Sequence, residues 1–353
     1  MDISLFDYKL PQNLIAQKPA VPRDSCKLMV LDKEKKMISH HFFYDLDKFL
    51  QKGDVLVFND TKVYPARLLG KKATGGKMEV LLLRQISNNL WEAMVGGKNK
   101  KEGMEIFFDG ISAVLEKRID NEKWLVNFKS KKKDIMKIIF KIGKMPIPPY
   151  IKNPEEEQAL KKEYQTIYAQ NIGSAAAPTA GLHFTKRLLN KLQKKGVKLE
   201  FVTLHVGLGT FAPIRVQDIL EHKIHSEWGE VKKETLKNII SAKKQGNRII
   251  AVGTTSTRIL EGAVSKYLDK KIISDFNGLI DIFIYPGYKF KVVDSMITNF
   301  HLPKSSLLVL VSAFCGREFI LDAYKQAVKK KYKFYSFGDT MIIKSQAPNP
   351  KTQ

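Results

Sequence analysis

Apolar and polar positions change rhythm twice along this chain. From about 62 to 130 they alternate with period two in short runs: Lys77–Leu83, Leu90–Val95, Met104–Phe108, Ile111–Glu116 and Trp124–Phe128. Gly75-Gly76, Asn88-Asn89, Asp109-Gly110 and Asp120-Asn121 separate the runs, and Asp-Gly in that position is a strong hairpin signal. Short strands at this spacing predict a small sandwich or barrel. On either side the rhythm is different. Asp45–Leu50 predicts a short helix closed by Gly53, and Asp54–Phe58 a strand. Lys133–Ile142 predicts a helix stopped by Gly143, and each Pro of Met145–Tyr150 biases its predecessor to extended backbone. From 155 to 343 strands and helices alternate. The helices are Thr185–Lys195 (Leu188, Leu189 and Leu192 on one stripe, Gly196 past its end), Lys233–Gln245, Thr257–Lys266, Lys304–Cys315 and Phe319–Lys329. The extended runs are Leu199–Leu208, Arg248–Val252, Ile280–Tyr285 and Lys333–Ile343. Alternation of this kind predicts an α/β layer architecture. The β-rich segment sits between two pieces that belong together, so we expect a discontinuous α/β domain, 1–61 plus 145–345, with an inserted β-rich domain, 62–144. The polar residues 346–353 are expected to form a disordered tail.

Composition sharpens this picture at three points. At 353 residues and 44% hydrophobic the chain is long enough for two domains, and wholesale disorder is excluded. Lys and Arg number 60 against 36 Asp and Glu, a net charge of +24, which points to a polyanionic partner, nucleic acid first and an anionic membrane second. Only nine of the 60 are Arg, and so lysine-heavy a balance also suits an ordinary solvated surface. Cys26 and Cys315 have no close-spaced Cys partner, which removes a disulfide framework and a Cys-rich zinc site. Met1–Ala20 lacks the charged and apolar regions of a secretory signal. The longest apolar run, Leu307–Cys315, is far short of the ~20 residues that span a bilayer. The expected location is the cytoplasm, without membrane attachment.

Six segments carry candidate chemistry. Ala176–Phe184 places small residues, Thr179 and Gly181 among them, before a helix start, with His183 at the positive end of its dipole. In Phe201–Phe211, period two puts Thr203, His205, Gly207 and Gly209 on one face, a floor with a single titratable group. The turn Val252–Arg258, with Gly253, Thr254, Thr255 and Arg258, joins a strand to a helix and resembles an anion cradle, though it is neither GxxxxGK[ST] nor GxGxxG. Tyr285-Pro286-Gly287 and Asn299–Pro303, with His301, flank core elements. His222 and His225 stand three apart, but no further ligands are marked, so no metal is expected; His225 and Glu227 suit a hydrogen-bonded pair.

Together these segments are similar to one family. The motifs are Phe6–Tyr8, Leu56–Thr61, Pro65–Leu68, Met145–Tyr150, Tyr164–Tyr168, Ala177–Phe184, Thr203–Phe211, Val252–Arg258, Phe283–Gly287, Asn299–Pro303 and Phe337–Asp339. They stand in register over residues 4 to 343, and they resemble the S-adenosylmethionine:tRNA ribosyltransferase-isomerases of queuosine biosynthesis, the QueA family. The resemblance implies an α/β domain interrupted by a small β-barrel. It implies transfer and isomerisation of the ribosyl group of S-adenosylmethionine onto 7-aminomethyl-7-deazaguanine at the tRNA wobble position, giving epoxyqueuosine-tRNA, adenine and methionine. S-adenosylmethionine is then a co-substrate, tRNA the partner through its anticodon loop, and no protein partner is evident; a monomer is expected. His183, His205 and His301 are the acid–base candidates, with the choice among them open. Thr179, Gly181, Thr203, Gly207, Gly209, Glu227, Gly253, Thr254, Thr255, Arg258 and Tyr285 are the candidates for holding S-adenosylmethionine, Glu227 and Tyr285 against its sulfonium. Lys71, Lys72 and Lys77 are candidates for tRNA phosphates. The competing readings are an S-adenosylmethionine-dependent RNA methyltransferase, a non-catalytic tRNA-binding protein and a metal-dependent hydrolase built on His222 and His225.

Overall fold

A computed structural model describes residues 1–120, 123–130, 134–148, 150–151, 161–207 and 213–344. The first strands are β1 (Lys27–Asp32), β2 (Met37–Phe42), β3 (Val55–Asn59) and β4 (Thr61–Val63). Six more follow in one block: β5 (Arg67–Lys72), β6 (Lys77–Gln85), β7 (Leu90–Gly96), β8 (Glu105–Phe108), β9 (Ile111–Arg118) and β10 (Lys123–Phe128). The rest are β11 (Asn171–Ser174), β12 (Lys198–Leu204), β13 (Glu227–Val231), β14 (Ile249–Val252), β15 (Phe276–Ile280), β16 (Ser295–Asn299) and β17 (Thr340–Lys344).

The strands from both sides of the block form one nine-stranded sheet, ordered β15-β13-β12-β3-β14-β16-β17-β1-β2. Its centre is parallel, β12 to β3 to β14 to β16, and antiparallel pairs close both edges. Successive residues split between two cores. Met29, Leu31, Val55, Val57, Ile249, Ala251, Met341 and Ile343 face the layer with helices Lys233–Lys244, Thr254–Gly262, Ser306–Cys315 and Arg317–Lys329. Leu28, Val30, Leu56, Phe58, Ile250, Val252, Ile297 and Ile342 face the layer holding Leu188 and Leu192 of helix Lys186–Lys194. A sheet covered on both faces needs unbroken apolar strands, and DVLVF and RIIAV supply them. Each such side chain fully buried stabilises by roughly 1.5–3 kcal/mol.

The block closes on itself as a six-stranded antiparallel barrel, β10-β7-β6-β5-β8-β9. Its interior takes alternate residues, among them Val80, Leu82, Trp91, Ala93, Val95, Trp124 and Val126, and Ile135 and Ile139 of helix Ile135–Ile142 join that core. Entry and exit of the insertion lie side by side, because Arg67 and Lys144 exchange backbone hydrogen bonds at 3.1 and 2.8 Å. Gly143 is required there: a Cβ would stand 1.9 Å from the Pro65 carbonyl oxygen. At the same junction β4 pairs with β11 in a two-stranded parallel ladder.

Several elements differ from the periodicity. The helix expected at Thr257–Lys266 begins at Thr254, directly on Gly253 (φ +93°), and breaks into a 3-10 turn at Val264. In the run Leu199–Leu208 the strand ends at Leu204, and Leu208 lies outside the described residues. The strand expected at Ile280–Tyr285 ends at Ile280, and that expected from Lys333 begins at Thr340. Asp45–Leu50 is part of a 3-10 helix, Phe43–Phe49. Strands β1, β2 and β16 are not among the predicted runs. The expected tail 346–353 lies outside the described residues. Among the described residues no helix is long and apolar enough to cross a membrane.

Candidate active site

Between the barrel and the end of the sheet lies a cleft of about 1480 Å³. Tyr64, Leu83, Arg84, Trp91, Met94 and Lys123 contribute its barrel wall, and Gly173, His205, Gly207, Glu221–Lys223 and His225–Trp228 its sheet wall. Polar residues where chain segments leave the sheet build the second wall. Asn59, the last residue of β3, donates from Nδ2 to the Leu204 carbonyl (2.9 Å), and its Oδ1 accepts from the Thr61 and Leu204 N–H groups (3.1 and 3.0 Å). That clamp fixes the end of β12 against the start of β4. Asp60 accepts from Thr203 Oγ1 (2.7 Å) and Asn171 Nδ2 (3.1 Å), and burial raises its carboxyl above the usual carboxylate range.

His205 leaves β12 one residue past its end. Its Nδ1 is 2.8 Å from Thr61 Oγ1, and one ring face stacks on Trp228 at 5.0 Å between centroids and 23° between planes. The other face lies over Gly173, where a Cβ would stand 2.4–2.6 Å from Nε2, Cδ2 and Cε1. No described residue bonds Nε2, and the side chain lines the cleft. Burial lowers its pKa to about 4, with Glu230 opposing the shift. The imidazole is therefore neutral at physiological pH.

Beside it, the Gly207 N–H donates to Glu227 Oε1 (3.1 Å), while Glu227 Oε2 holds the Arg258 guanidinium in a buried ion pair. Arg258 Nη2 also donates to the Ile280 and His225 carbonyls (3.3 and 3.4 Å). The guanidinium expected to meet an anion is turned inward to shape the cleft floor. Among the described residues a Cβ on Gly207 would meet nothing within 4 Å, and Gly207 lines the cleft.

His183 and His301 lie elsewhere, around β16. Thr179 Oγ1 donates to Asn299 Oδ1 (2.9 Å), Asn299 Nδ2 donates to His183 Nε2 (3.0 Å), and His183 Nδ1 faces Cys26 Sγ at 3.2 Å. Because Nε2 accepts, the ring proton sits on Nδ1. Burial, and then the nearby Arg23 charge, lower the His183 pKa to about 3. His301 Nε2 is 2.8 Å from Thr298 Oγ1, its N–H donates to Tyr324 Oη (2.9 Å), and burial lowers it to about 3. Thr179, Gly253, Thr254, Thr255, Asn299 and His301 share a chamber of only about 10 Å³. That is room for about one water molecule.

The thirteen described candidates thus form two groups and some outliers. His205, Gly207 and Glu227 meet at the cleft, with Arg258 behind Glu227 and Thr203 behind Asp60. His301, Thr179, Gly253, Thr254 and Thr255 line the small chamber, and His183 is bonded to Asn299 of its wall. Gly181 makes room for Tyr168, whose hydroxyl would lie 1.9 Å from a Cβ. Tyr285, 37% exposed, touches Phe283 rather than the cleft, and Gly209 lies outside the described residues. Lys71, Lys72 and Lys77 sit on the barrel away from the cleft, whose own barrel-wall cations are Arg84, Lys100 and Lys123. Among the described residues no three His, Cys, Asp or Glu gather to hold a metal.

Sequence reasoning passed over Asn59, Asp60, Thr61, Asn171, Asn299 and Trp228 as site residues. One signal was available: a polar triplet, Asn59-Asp60-Thr61, directly after a fully buried strand.

Known proteins agree with this architecture. A family model described as "Queuosine biosynthesis protein" matches residues 3–343. The chain is 54% identical to the S-adenosylmethionine:tRNA ribosyltransferase-isomerase of Hydrogenobaculum sp. (strain Y04AAS1), over 97% of this chain and 100% of that one. It is 50% identical to the enzyme of the same name from Aquifex aeolicus, with the same coverage. A crystal structure of S-adenosylmethionine tRNA ribosyltransferase from Thermotoga maritima matches with a TM-score of 0.55 at 37% identity, covering 96% of this chain and 99% of that one. Motifs in register, the interrupted α/β sheet and a match over nearly the whole length assign this chain to the queuosine biosynthesis protein family.

Proposed function

We propose that this chain transfers the ribosyl group of S-adenosylmethionine to tRNA and isomerises it. The acceptor is 7-aminomethyl-7-deazaguanine at the wobble position, and the products are epoxyqueuosine-tRNA, adenine and methionine. The observation that carries the reading is the His205 edge: a neutral imidazole with an unbonded Nε2 opening on a cleft large enough for both substrates. Family membership and the names of the relatives support it.

The chemistry asks for such a group. The sulfonium acidifies the protons on the ribose 5′ carbon, and Nε2 accepts one. Adenine leaves as the ribose ring opens, and the aminomethyl nitrogen attacks. Closure of the epoxide expels methionine, whose sulfur leaves as a neutral thioether. Trp91 and Trp228 give the cleft aromatic faces for a cation or a base. The barrel wall, with Arg84, Lys100 and Lys123, suits the anticodon loop, where an unpaired base is read by stacking and edge contacts. On this reading the insertion, 62–144, docks tRNA, and 1–61 plus 145–345 carry the chemistry. His183, His301, Thr179, Gly253, Thr254 and Thr255 support the sheet end that frames the site. The cytoplasm, where tRNA is available, is the matching location.

The test is to mix the protein with S-adenosylmethionine and tRNA bearing the aminomethyl base and to analyse the small molecules. Adenine and methionine, with a matching gain of mass on the tRNA, are expected. S-adenosylhomocysteine would make the protein a methyltransferase.

A further inference from the structure

The contact that orients His205 in the cleft wall comes from a residue 144 positions away. Thr61 Oγ1 lies 2.8 Å from His205 Nδ1 and 3.5 Å from the Asn171 carbonyl oxygen. A hydroxyl has one proton. The Asn171 carbonyl can only accept, so a Thr61 hydroxyl that donates to it must accept from His205. The ring proton then lies on Nδ1, and the lone pair lies on Nε2, at the edge that opens on the cleft.

The surroundings hold this arrangement from three sides. The Thr61 N–H is fixed by Asn59 Oδ1 (3.1 Å). Asn171 is pinned by Asp60, whose carbonyl accepts from the Asn171 N–H (3.2 Å) and whose carboxyl accepts from Asn171 Nδ2 (3.1 Å). The imidazole lies between the Trp228 ring and the backbone of Gly173, so it is held against rotation about its own axis. The logic is that of a base oriented by a third group, with a threonine hydroxyl and a backbone carbonyl in the orienting place.

We propose that Thr61 is a positioning residue that selects the Nδ1–H tautomer of His205 and so presents Nε2 as the proton acceptor. The proposal rests on His205 being the base. The experiment reads tautomer and turnover separately. In ¹⁵N-histidine-labelled, substrate-free protein at neutral pH, with the His205 signals assigned by their loss in His205→Gln, the nitrogen–carbon-proton correlation pattern distinguishes Nδ1–H from Nε2–H. We expect Nδ1–H in the unaltered protein and a mixed or reversed pattern in Thr61→Val. Adenine release by Thr61→Val should fall in kcat by about 10- to 100-fold, the scale of losing a histidine's orienting partner, with KM for S-adenosylmethionine unchanged. Thr61→Ser keeps the hydroxyl and should restore both the pattern and most of kcat. An Nε2–H pattern in the unaltered protein overturns the proposal, with no variant needed. So does a Thr61→Val enzyme of unchanged kcat. Full turnover by His205→Gln would instead remove the base reading itself, whichever tautomer the spectra show.

Discussion

The cleft histidine and the two histidines around β16 share one electrostatic fate and differ in everything that decides use. Burial pushes all three pKa values down, to about 4 for His205 and about 3 for His183 and His301. All are neutral at pH 7. His183, however, has a partner on each ring nitrogen. His301 is held through Nε2, backbone N–H and carbonyl, and although no described residue bonds its Nδ1, it lines only chambers of about 10 and 20 Å³. His205 is fixed on one nitrogen and open on the other. A lowered pKa therefore does not by itself mark a catalytic group. An unsatisfied edge facing a space that admits substrate separates a base from a core histidine, and neither can be read from residue type.

The sharpest way to break the comparison is to remove the open edge. His205→Ala should lose about 10²- to 10⁴-fold in turnover, the usual worth of a positioned base, with tRNA affinity nearly unchanged. Adenine release and filter binding on the same preparation check this. An unaltered rate would place the chemistry elsewhere, and the cluster around β16 would be the next candidate. Arg258→Ala addresses the floor beneath Glu227. It leaves a buried carboxylate without its partner and should cost about 3–5 kcal/mol of stability, read by denaturant unfolding.

Acid sharpens the contrast from the other side. A histidine whose folded pKa lies below its unfolded value of 6.5 binds fewer protons when folded. Its stabilisation is complete above pH 6.5 and is lost as pH falls from there toward the folded pKa. Asp60 and Asp339, raised by burial, act in the opposite sense, because their folded forms take up protons first. Removing one depressed histidine should therefore flatten the acid limb. His183→Gln should reduce the stability lost between pH 6.5 and 4.5 by up to about 1.4 kcal/mol per unit. Turnover at pH 7.5 should change far less than in His205→Ala. Unfolding curves across that range check the first statement, and adenine release checks the second.

How much of this was legible depends on whether the cause is local. Alternation in Lys77–Leu83 or Trp124–Phe128 records a strand with one face in a core, so the barrel's runs were visible. The unbroken apolar run at Arg248–Val252 records a strand covered on both faces. Of the expected row Thr203, His205, Gly207 and Gly209, His205 and Gly207 line the cleft although the strand ends at Leu204, Thr203 is bonded to Asp60, and Gly209 lies outside the described residues. What stayed hidden is pairing at long range. Nothing local says that Thr61 will meet His205, that Glu227 will claim Arg258, or that Asn299 will bridge Thr179 and His183. Histidine, glycine and threonine in the same motifs therefore looked equivalent, and the structure divides them between an open wall and a closed cluster.

Two glycines from those motifs test that division at its smallest scale. A Cβ on Gly181 would stand 1.9 Å from the Tyr168 hydroxyl, which is itself buried, so the ring must move. Gly181→Ala should therefore cost about 1–3 kcal/mol by overpacking, with KM for S-adenosylmethionine little changed in the protein that remains folded. Gly207 offers the opposite case. Its Cβ would meet no described residue within 4 Å, while its N–H stays on Glu227 Oε1. Gly207→Ala should alter stability by less than about 0.5 kcal/mol, as a change away from core packing does. Its effect should appear instead as a several-fold rise in KM for S-adenosylmethionine, because the added methyl occupies room the ligand needs. Thermal unfolding and initial rates on the two variants decide the matter. A Gly207→Ala enzyme with an unchanged KM would show that substrate does not approach this part of the floor, and would move the ligand toward the barrel wall.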